Sequence, residues 1–355
     1  MIVVLAMMGA IWALGWGLGA PKRQRWIMIA VLLAAVIIAQ LVLPEGNPLR
    51  EATGGDARLW LLLIGFAILI MGYRTILRRL RARISQDRSE QAAVPSKAEP
   101  FSATEINRYA RHMILREVGG LGQKRLKDAK VLVIGAGGLG SPSLMYLAAS
   151  GVGTIGIIDD DVVDGSNLQR QIIHRDAHIG MPKVHSAEVA LKELNPFIDV
   201  WPFNRRLTEE ISEQLFADFD LILDGTDNFA TRYLVNRTAV RAGKPLVAAA
   251  ISQWEGQISV FDPSRGTPCY ECIFPEAPAE GLAPTCAEAG VIGPLPGVIG
   301  SLMAVEAVKV ITGAGEGLLG RMMIYDALYA DSRIMKLKPR ESCPVCGDVN
   351  EKLGK

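Results

Sequence analysis

The larger, C-terminal part of this 355-residue sequence predicts an α/β fold, a doubly wound and mostly parallel sheet covered by helices. Two observations predict it. Short β-branched runs (V-L-V-I-G, T-I-G-I-I-D and D-L-I-L-D) alternate with helical stretches beyond Lys130, and these runs are apolar at nearly every position. Strands that are apolar on both faces need helices above and below them, as in parallel sheets. The hydrophobic share of 50% is ample for a core, in a chain longer than one typical domain.

Three apolar segments precede this region and predict transmembrane helices over residues 2–20, 26–43 and 58–77. A helix rises about 1.5 Å per residue, so crossing a hydrocarbon core of roughly 30 Å takes about 20 apolar residues. The third segment is short on that count. No positive charge precedes the first apolar run, which argues against a secretion signal. We therefore expect residues 1–80 to form a membrane region.

The distribution of basic residues predicts the orientation of these spans. The first loop, P-K-R-Q-R, is basic, the second contains three acidic residues against two arginines, and five arginines follow the third segment. Because Lys and Arg stay on the cytoplasmic side, the N-terminus should lie outside and the C-terminal α/β part in the cytoplasm. We expect a multi-pass protein of the cell inner membrane. Lys plus Arg number 38 against 37 for Asp plus Glu, so no nucleic-acid partner is expected.

A polar stretch separates the membrane region from the α/β region. Residues 81–100 contain little that could form a core and predict a linker, which leaves residues 101–355 as one domain. Ser102 and Glu105 have the spacing of a capping box and predict a helix start. Further strands are predicted over Pro245 to Ala250 and Gly256 to Phe261.

A glycine-rich turn predicts a nucleotide site in a Rossmann-like arrangement. The run G-A-G-G-L-G, with Gly135, Gly137, Gly138 and Gly140, follows a strand and opens a helix. Its backbone can approach phosphates, and the start of the following helix favours anions. Asp159 ends the next strand, where a carboxylate can accept hydrogen bonds from ribose hydroxyls. Alone, this pattern would suggest NAD; glycines that merely permit tight helix packing are the other interpretation.

A polar cluster after Asp159 favours nucleotidyl transfer over hydride transfer. Arg170 offers a planar fork of donors, Lys183 a compact charge, and Asp227 a hard oxygen ligand suited to Mg²⁺. Attack of a carboxylate on the α-phosphorus of ATP builds negative charge that such groups absorb. Taken singly, each of these residues could belong to a surface ion pair.

Four of the five cysteines predict a zinc site. Cys269 and Cys272, and Cys343 and Cys346, form two C-x-x-C pairs that are 74 residues apart (343 − 269). Each pair can present two thiolates to one tetrahedral ion, so a shared structural zinc is favoured over a redox C-x-x-C motif. Cys286 lies in a Pro, Gly and Ala-rich stretch and is either a bystander or a nucleophile for sulfur or thioester chemistry.

Together these motifs resemble the bacterial ThiF/MoeB/HesA family, the adenylyltransferases of molybdopterin and thiazole synthesis that are related to ubiquitin-activating enzymes. R-Y-A-R-H, G-A-G-G-L-G, S-N-L-Q-R-Q, G-M-P-K, D-G-T-D-N and both C-x-x-C pairs contribute to the resemblance. It implies a homodimer in which Arg111 reaches the neighbouring subunit's site. It also implies adenylylation of a ubiquitin-like sulfur carrier ending in Gly-Gly, with ATP, Mg²⁺ and zinc bound. The candidate nucleotide-binding residues are Gly135, Gly137, Gly138, Gly140, Asp159, Ser166, Asn167, Gln169, Arg170, Lys183, Asp227 and Asn228.

This chain departs from the family in its membrane segment and in ending soon after Cys346, which leaves no room for a sulfurtransferase domain. A separate protein is therefore expected to donate sulfur. Three alternatives remain open: adenylylation of a small-molecule or tRNA-base carboxylate, an NAD-dependent oxidoreductase, and a nonenzymatic membrane adaptor with the same fold.

Overall fold

The computed structural model describes residues 2–44, 46–56, 100–278 and 289–352, together with scattered positions between 58 and 74. The chain divides into two compact units, Met1–Ala98 and Glu99–Lys355, each considered by itself below.

The N-terminal unit contains the helices α1 (Ile2–Gly17), α2 (Lys22–Val42) and α3 (Pro48–Ala52). The helix α2 begins four residues earlier than its predicted span, directly after Pro21, which lies at the N-cap. Asn47 caps α3 by accepting a hydrogen bond from the amide of Leu49 at 3.0 Å. Because α2 has 21 residues and its most apolar 18-residue window has a mean hydropathy of 2.3, it is long and apolar enough to cross a membrane.

The prediction of three spans is met only in part within the described residues. There, length and apolarity single out two helices: α2 and a helix of the α/β unit, Pro294–Thr312, which is half buried in that unit. The helix α1 is apolar but has only 16 residues. The third predicted span falls largely outside the described residues, so the crossing of three helices stays a prediction.

The α/β unit is built on one eight-stranded sheet with the order β3-β2-β1-β4-β5-β6-β7-β8. Strands β3 to β5 in this order run parallel, and β6, β7 and β8 continue the sheet antiparallel. The strands are β1 (Lys130–Ile134), β2 (Thr154–Ile158), β3 (Asp199–Phe203), β4 (Leu221–Asp224), β5 (Leu246–Ile251), β6 (Glu255–Phe261), β7 (Arg321–Asp326) and β8 (Asp331–Lys336). The two strands expected near residues 245 and 256 are confirmed to within one residue, whereas β3, β7 and β8 were not predicted.

Helices cover both faces of this sheet, which confirms the doubly wound α/β fold. Consecutive strand residues point to opposite faces, so Val131 and Val133 pack in one core and Leu132 and Ile134 in another. The helices are α4 (Ala103–Met113), α5 (Gly119–Asp128), α6 (Gly140–Ser150), α7 (Lys183–Leu194), α8 (Glu209–Ala217), α9 (Phe229–Ala242), α10 (Tyr270–Ile273), α11 (Pro294–Thr312) and α12 (Gly347–Lys352). Side chains of α5, α6, α7 and α11 fill the first core, and those of α8 and α9 fill the second.

The helix α4 opens the unit with the predicted capping box. The hydroxyl of Ser102 accepts from the amide of Glu105 at 3.3 Å, and the Glu105 carboxylate accepts from the amide of Ser102 at 2.9 Å. Lys127 of α5 forms an ion pair with Glu105 at 2.6 Å, and Tyr109 accepts a hydrogen bond from the buried Asn195 at 2.8 Å. These contacts attach α4 to the sheet's helical layer.

Candidate nucleotide cleft and cysteine site

A cleft of about 720 Å³ opens at the carboxyl ends of the parallel strands. Ligands bind in this position in open α/β sheets, because loops from several strands meet there. Of the sequence-predicted residues, the cleft is lined by Gly135, Gly137, Gly138, Asp159, Arg170, Lys183, Asp227 and Asn228. The remaining predicted residues, Gly140, Ser166, Asn167 and Gln169, are not among the lining residues.

The glycine loop after β1 follows a path that requires small residues. Gly135 has φ +92°, a conformation that side chains strain, and its amide donates to the carbonyl of Ile158 at 2.9 Å. A Cβ on Gly140 would lie 1.9 Å from the carbonyl oxygen of Gly135. The loop therefore closes tightly over the start of α6, where backbone amides and the helix dipole favour an anion.

Asp159 holds the glycine loop from the neighbouring strand. Its carboxylate accepts from the amides of Ala136 at 2.8 Å and Asp161 at 2.9 Å. Burial raises the pKa of Asp159, and the nearby charge of Lys183 and the two amides act against this rise. The carboxylate is thus fixed in orientation at the cleft wall, where a ribose would lie in a Rossmann-like site.

Lys183 brings a nearly dehydrated positive charge to the cleft. Its side chain is 5% exposed and forms an ion pair at 2.7 Å with Asp161, whose side chain is 67% exposed. The amide of Lys183 also donates to the carbonyl of Asp161 at 2.9 Å, which fixes the start of α7 beside β2. An anion in the cleft can share this ammonium group with Asp161.

The short turn after β2 positions Arg170. Asp164 caps this turn, accepting from the amide and hydroxyl of Ser166 at 2.8 and 2.6 Å. The guanidinium of Arg170 donates to Asn167 Oδ1 at 2.8 Å. Asn167 therefore orients Arg170, while Gln169 packs against Gly293 at the start of α11, where a Cβ would lie 2.6 Å from the Gln169 carbonyl oxygen.

The loop after β4 presents Asp227 as an exposed carboxylate in the cleft. The buried Asp224 accepts from the amide and the hydroxyl of Thr226 at 2.9 and 2.7 Å. Asn228 caps α9 by accepting from the amide of Thr231 at 2.9 Å. Arg232, 6% exposed, donates to the carbonyls of Thr226 and of Ala249 in β5. These bonds fix the backbone on both sides of Asp227.

The sequence analysis missed several site residues, among them Asp161, Gln171, Arg205, Arg206 and Arg232, which line the cleft, and His174, which contacts the glycine loop. Gln171 lines the cleft, is 6% exposed, and its Oε1 has no hydrogen-bond partner among the described residues. The one available signal for Gln171 and His174 was the placement of polar side chains on either side of the apolar pair Ile172 and Ile173. Arg232 carried no signal, because helix position alone does not reveal burial.

The four predicted cysteine ligands come together beside α9, where Val240 packs against them. Their sulfur atoms lie 3.9 Å (Cys269 to Cys272), 3.6 Å (Cys269 to Cys343) and 3.3 Å (Cys272 to Cys346) apart, and all lie within 4.8 Å of one another. Four thiolates at about 2.3 Å from a tetrahedral zinc would be separated by about 3.8 Å, so this cluster fits zinc. The hydrogen bond from Cys269 lowers the pKa of Cys272, which favours one thiolate.

The cysteine site borders the nucleotide cleft through one residue. Tyr270 follows Cys269, lines the cleft, and donates its amide to Asn236 Oδ1 of α9 at 2.9 Å. Burial raises the pKa of the Tyr270 hydroxyl to about 12, so it stays neutral. Closing the cysteine site thus also places one wall of the cleft.

Arg111 and Cys286 are two further predicted residues that are not part of this cleft lining. Arg111 is exposed on α4, and Cys286 lies outside the described residues.

The chain is similar to known proteins in both sequence and structure. The model of the ThiF family matches residues 109–345. The chain is 52% identical over 258 residues to "Probable adenylyltransferase/sulfurtransferase MoeZ" of Mycobacterium tuberculosis, covering 71% of this chain and 66% of that protein. It is 49% identical over 252 residues to "Sulfur carrier protein adenylyltransferase" of Thermus thermophilus, covering 70% of this chain and 93% of that protein. The crystal structure of E. coli MccB with ATP is similar with a TM-score of 0.59 and 25% identity, covering 70% of this chain and 76% of that chain.

Proposed function

Because the chain belongs to the ThiF family, we propose that it adenylylates the C-terminal glycine carboxylate of a ubiquitin-like sulfur-carrier protein. One observation carries the proposal: the glycine loop, Asp159, Arg170, Lys183 and Asp227 line a single cleft. The Thermus thermophilus relative is named as a sulfur carrier protein adenylyltransferase, which supports this substrate class. The carrier would be of the molybdopterin or thiazole pathway type.

The proposed reaction forms a mixed anhydride. A carboxylate oxygen of the carrier attacks the α-phosphorus of ATP, the bond from that phosphorus to the bridging oxygen breaks, and pyrophosphate leaves with the electron pair. Negative charge grows on the phosphate oxygens during this step. Arg170 and Lys183 are the cations that would stabilise it, and the buried position of Lys183 strengthens its effect.

Asp227 would hold Mg²⁺ for this reaction. A carboxylate is a hard oxygen ligand of the kind that Mg²⁺ prefers, and the exposed Asp227 side chain leaves room for water and phosphate ligands. The ion would supply further neutralisation of the triphosphate charge.

We propose zinc as the ion at the four cysteines, in a structural role. Four protein ligands leave no open position for a substrate, which distinguishes structural from catalytic zinc. The ion would attach the C-terminal segment that carries Cys343 and Cys346 to the α/β unit.

The proposed enzyme is a homodimer in which Arg111 acts on the partner's ATP. Arg111 is exposed and does not line the cleft of its own chain. Tyr146 on α6 and Val298 and Val305 on α11 are 57%, 41% and 48% exposed, and these apolar side chains would be covered in a dimer. Mixing Arg111→Ala protein with Asp227→Ala protein should restore activity, because one site in the mixed dimer has both residues. No recovery after subunit exchange would count against the assignment in trans.

We propose three membrane spans with the N-terminus outside and the α/β unit in the cytoplasm of an inner membrane, where ATP is available. Support comes from the length and apolarity of α2 and from the basic loops. A protease added to intact spheroplasts should leave the α/β unit undigested. The same protease added to inverted vesicles should digest it. The reverse pattern would contradict the orientation. Sulfur would then come from a separate donor protein.

The central experiment is exchange of labelled pyrophosphate into ATP by the full chain in detergent or lipid nanodiscs. Each candidate carrier ending in Gly-Gly is compared with the same carrier lacking its last glycine. Exchange that depends on the terminal glycine supports carrier adenylylation. Exchange without any carrier would favour another carboxylate substrate. If folded, zinc-loaded protein shows no exchange with any carrier, another carboxylate or the adaptor alternative would be favoured.

A further inference from the structure

His174 lies behind the glycine loop, outside the cleft, and contacts the loop backbone. Its side chain is 4% exposed. The ring nitrogen Nε2 lies 2.9 Å from the carbonyl oxygen of Ala136, and Nδ1 lies 2.9 Å from the hydroxyl of Ser186 in α7. The same hydroxyl lies 2.9 Å from Nδ1 of His178. Two histidines therefore share one serine hydroxyl, and one of them reaches the nucleotide loop.

The chemistry of the partners determines where each proton lies. A carbonyl oxygen only accepts, so Nε2 of His174 must carry a hydrogen and donate to Ala136. Burial lowers the pKa of His174, and the nearby Lys183, His178 and Arg175 lower it further, whereas the bond to Ala136 acts in the opposite direction. The ring is therefore neutral, and its Nδ1 is an acceptor. Ser186 then donates its hydroxyl hydrogen to that nitrogen and accepts from Nδ1–H of His178. The four groups form one directional chain of hydrogen bonds.

This chain ends on the residue between Gly135 and Gly137. The amide of Ala136 donates to Asp159, and its carbonyl accepts from His174, so both polar groups of this residue are held by side chains. A reversed tautomer of His174 would place two lone pairs against each other and turn this peptide group. The amides of the glycine loop, which are the anion-binding groups of the cleft, would turn with it.

We propose that His174 is a positioning residue for the nucleotide loop, held in its Nε2–H tautomer by Ser186 and His178. The proposal rests on the proposed function for the identity of the nucleotide as ATP. It makes the loop geometry depend on side chains of the Q-I-I-H segment and α7, in addition to the glycines themselves.

Nuclear magnetic resonance of the full chain, labelled with ¹⁵N-histidine in detergent, tests the tautomers without any turnover. Only four histidines are present, and histidine-to-glutamine variants assign each signal. We expect a protonated Nε2 with a bare Nδ1 for His174, and a protonated Nδ1 for His178. A protonated Nδ1 on His174, or an equal mixture of tautomers, would overturn the proposal.

Kinetics then test the positioning role. His174→Phe leaves the Ala136 carbonyl unpaired, which should raise the KM for ATP about tenfold while changing the KM for the carrier less than about threefold. His174→Gln, whose amide nitrogen can replace Nε2, should restore the KM for ATP to within about threefold of the wild type. The matched control is His185→Gln, since the side chain of His185 is exposed and pairs with Glu188 at 3.4 Å.

Equal changes in both KM values, or no rescue by glutamine in folded protein, would refute the role. Wild-type protein that exchanges no pyrophosphate would instead refute the proposed function. In that case the tautomers still decide between a fixed and a freely exchanging His174.

Discussion

The nucleotide cleft and the cysteine site are two parts of the same α/β unit with opposite construction. The cleft presents charges that the protein compensates only in part, such as the buried Lys183 against a largely exposed Asp161, and the exposed Asp227. The cysteine site is enclosed, with Cys269 and Cys346 fully buried. The cleft is therefore suited to a charged ligand that binds and leaves, whereas the cysteine site is suited to an ion that stays bound.

Removing charge from the cleft is the most direct test of this contrast between the two sites. Lys183→Ala and Asp227→Ala should each lower adenylate formation by about a hundredfold to a thousandfold or more, since each removes stabilisation of the developing charge. Zinc content and Tm should change little, because Asp161 stays solvated and Asp227 is exposed. Pyrophosphate exchange, zinc analysis and thermal unfolding measure these effects.

Lys192→Ala is the control for Lys183, because Lys192 lies on the same helix and makes a surface contact with Asp199 at 3.8 Å. Wild-type exchange in Lys183→Ala or Asp227→Ala would refute the role of that residue. A large loss of Tm would instead assign it to the fold.

The cysteine site should respond in the opposite way. Cys343→Ser should lower the zinc content, and it should lower the Tm by about 10 °C or more. The reason is that loss of the ion frees the C-terminal segment from the α/β unit. Adenylate formation at low temperature should fall less than in Lys183→Ala. Zinc retained at the wild-type level in Cys343→Ser would contradict a shared four-cysteine site.

The smallest effect is expected at Cys286. Attack on the α-phosphorus requires no thiol, so Cys286→Ser should keep the rate of pyrophosphate exchange within about twofold of the wild type. A tenfold change in rate corresponds to about 1.4 kcal/mol, so a twofold change is a small energetic effect. Its zinc content should also equal that of the wild type. Loss of exchange would place the thiol in the first chemical step.

The elements that the sequence predicted best are those whose cause is local. The capping box of Ser102 and Glu105, the turn at Gly135 and the helix that follows it depend on neighbours within a few residues. The cysteine pairs were also predictable, although 74 residues separate them, because few structures other than a metal site account for two such pairs.

The parts that could not be predicted depend on tertiary contacts. Arg232 donates to one carbonyl of the loop after β4 and one of β5, and His174 bonds the carbonyl of Ala136 and a serine of α7. The alternating pattern of β7 and β8 is weak because β8 is exposed along its whole length. Likewise, α11 has the apolarity of a membrane helix and lies half buried in the α/β unit, since length and hydropathy do not distinguish these environments.

The exposed strand β8 has a consequence for solubility. It is the last strand of the sheet in the described part of the chain, so its outer edge offers backbone groups to any extended peptide nearby. Asp331, Arg333 and Lys336 place charges of both signs along it, beside the apolar Ile334 and Met335. These charges discourage edge-to-edge pairing and the aggregation that would follow from it.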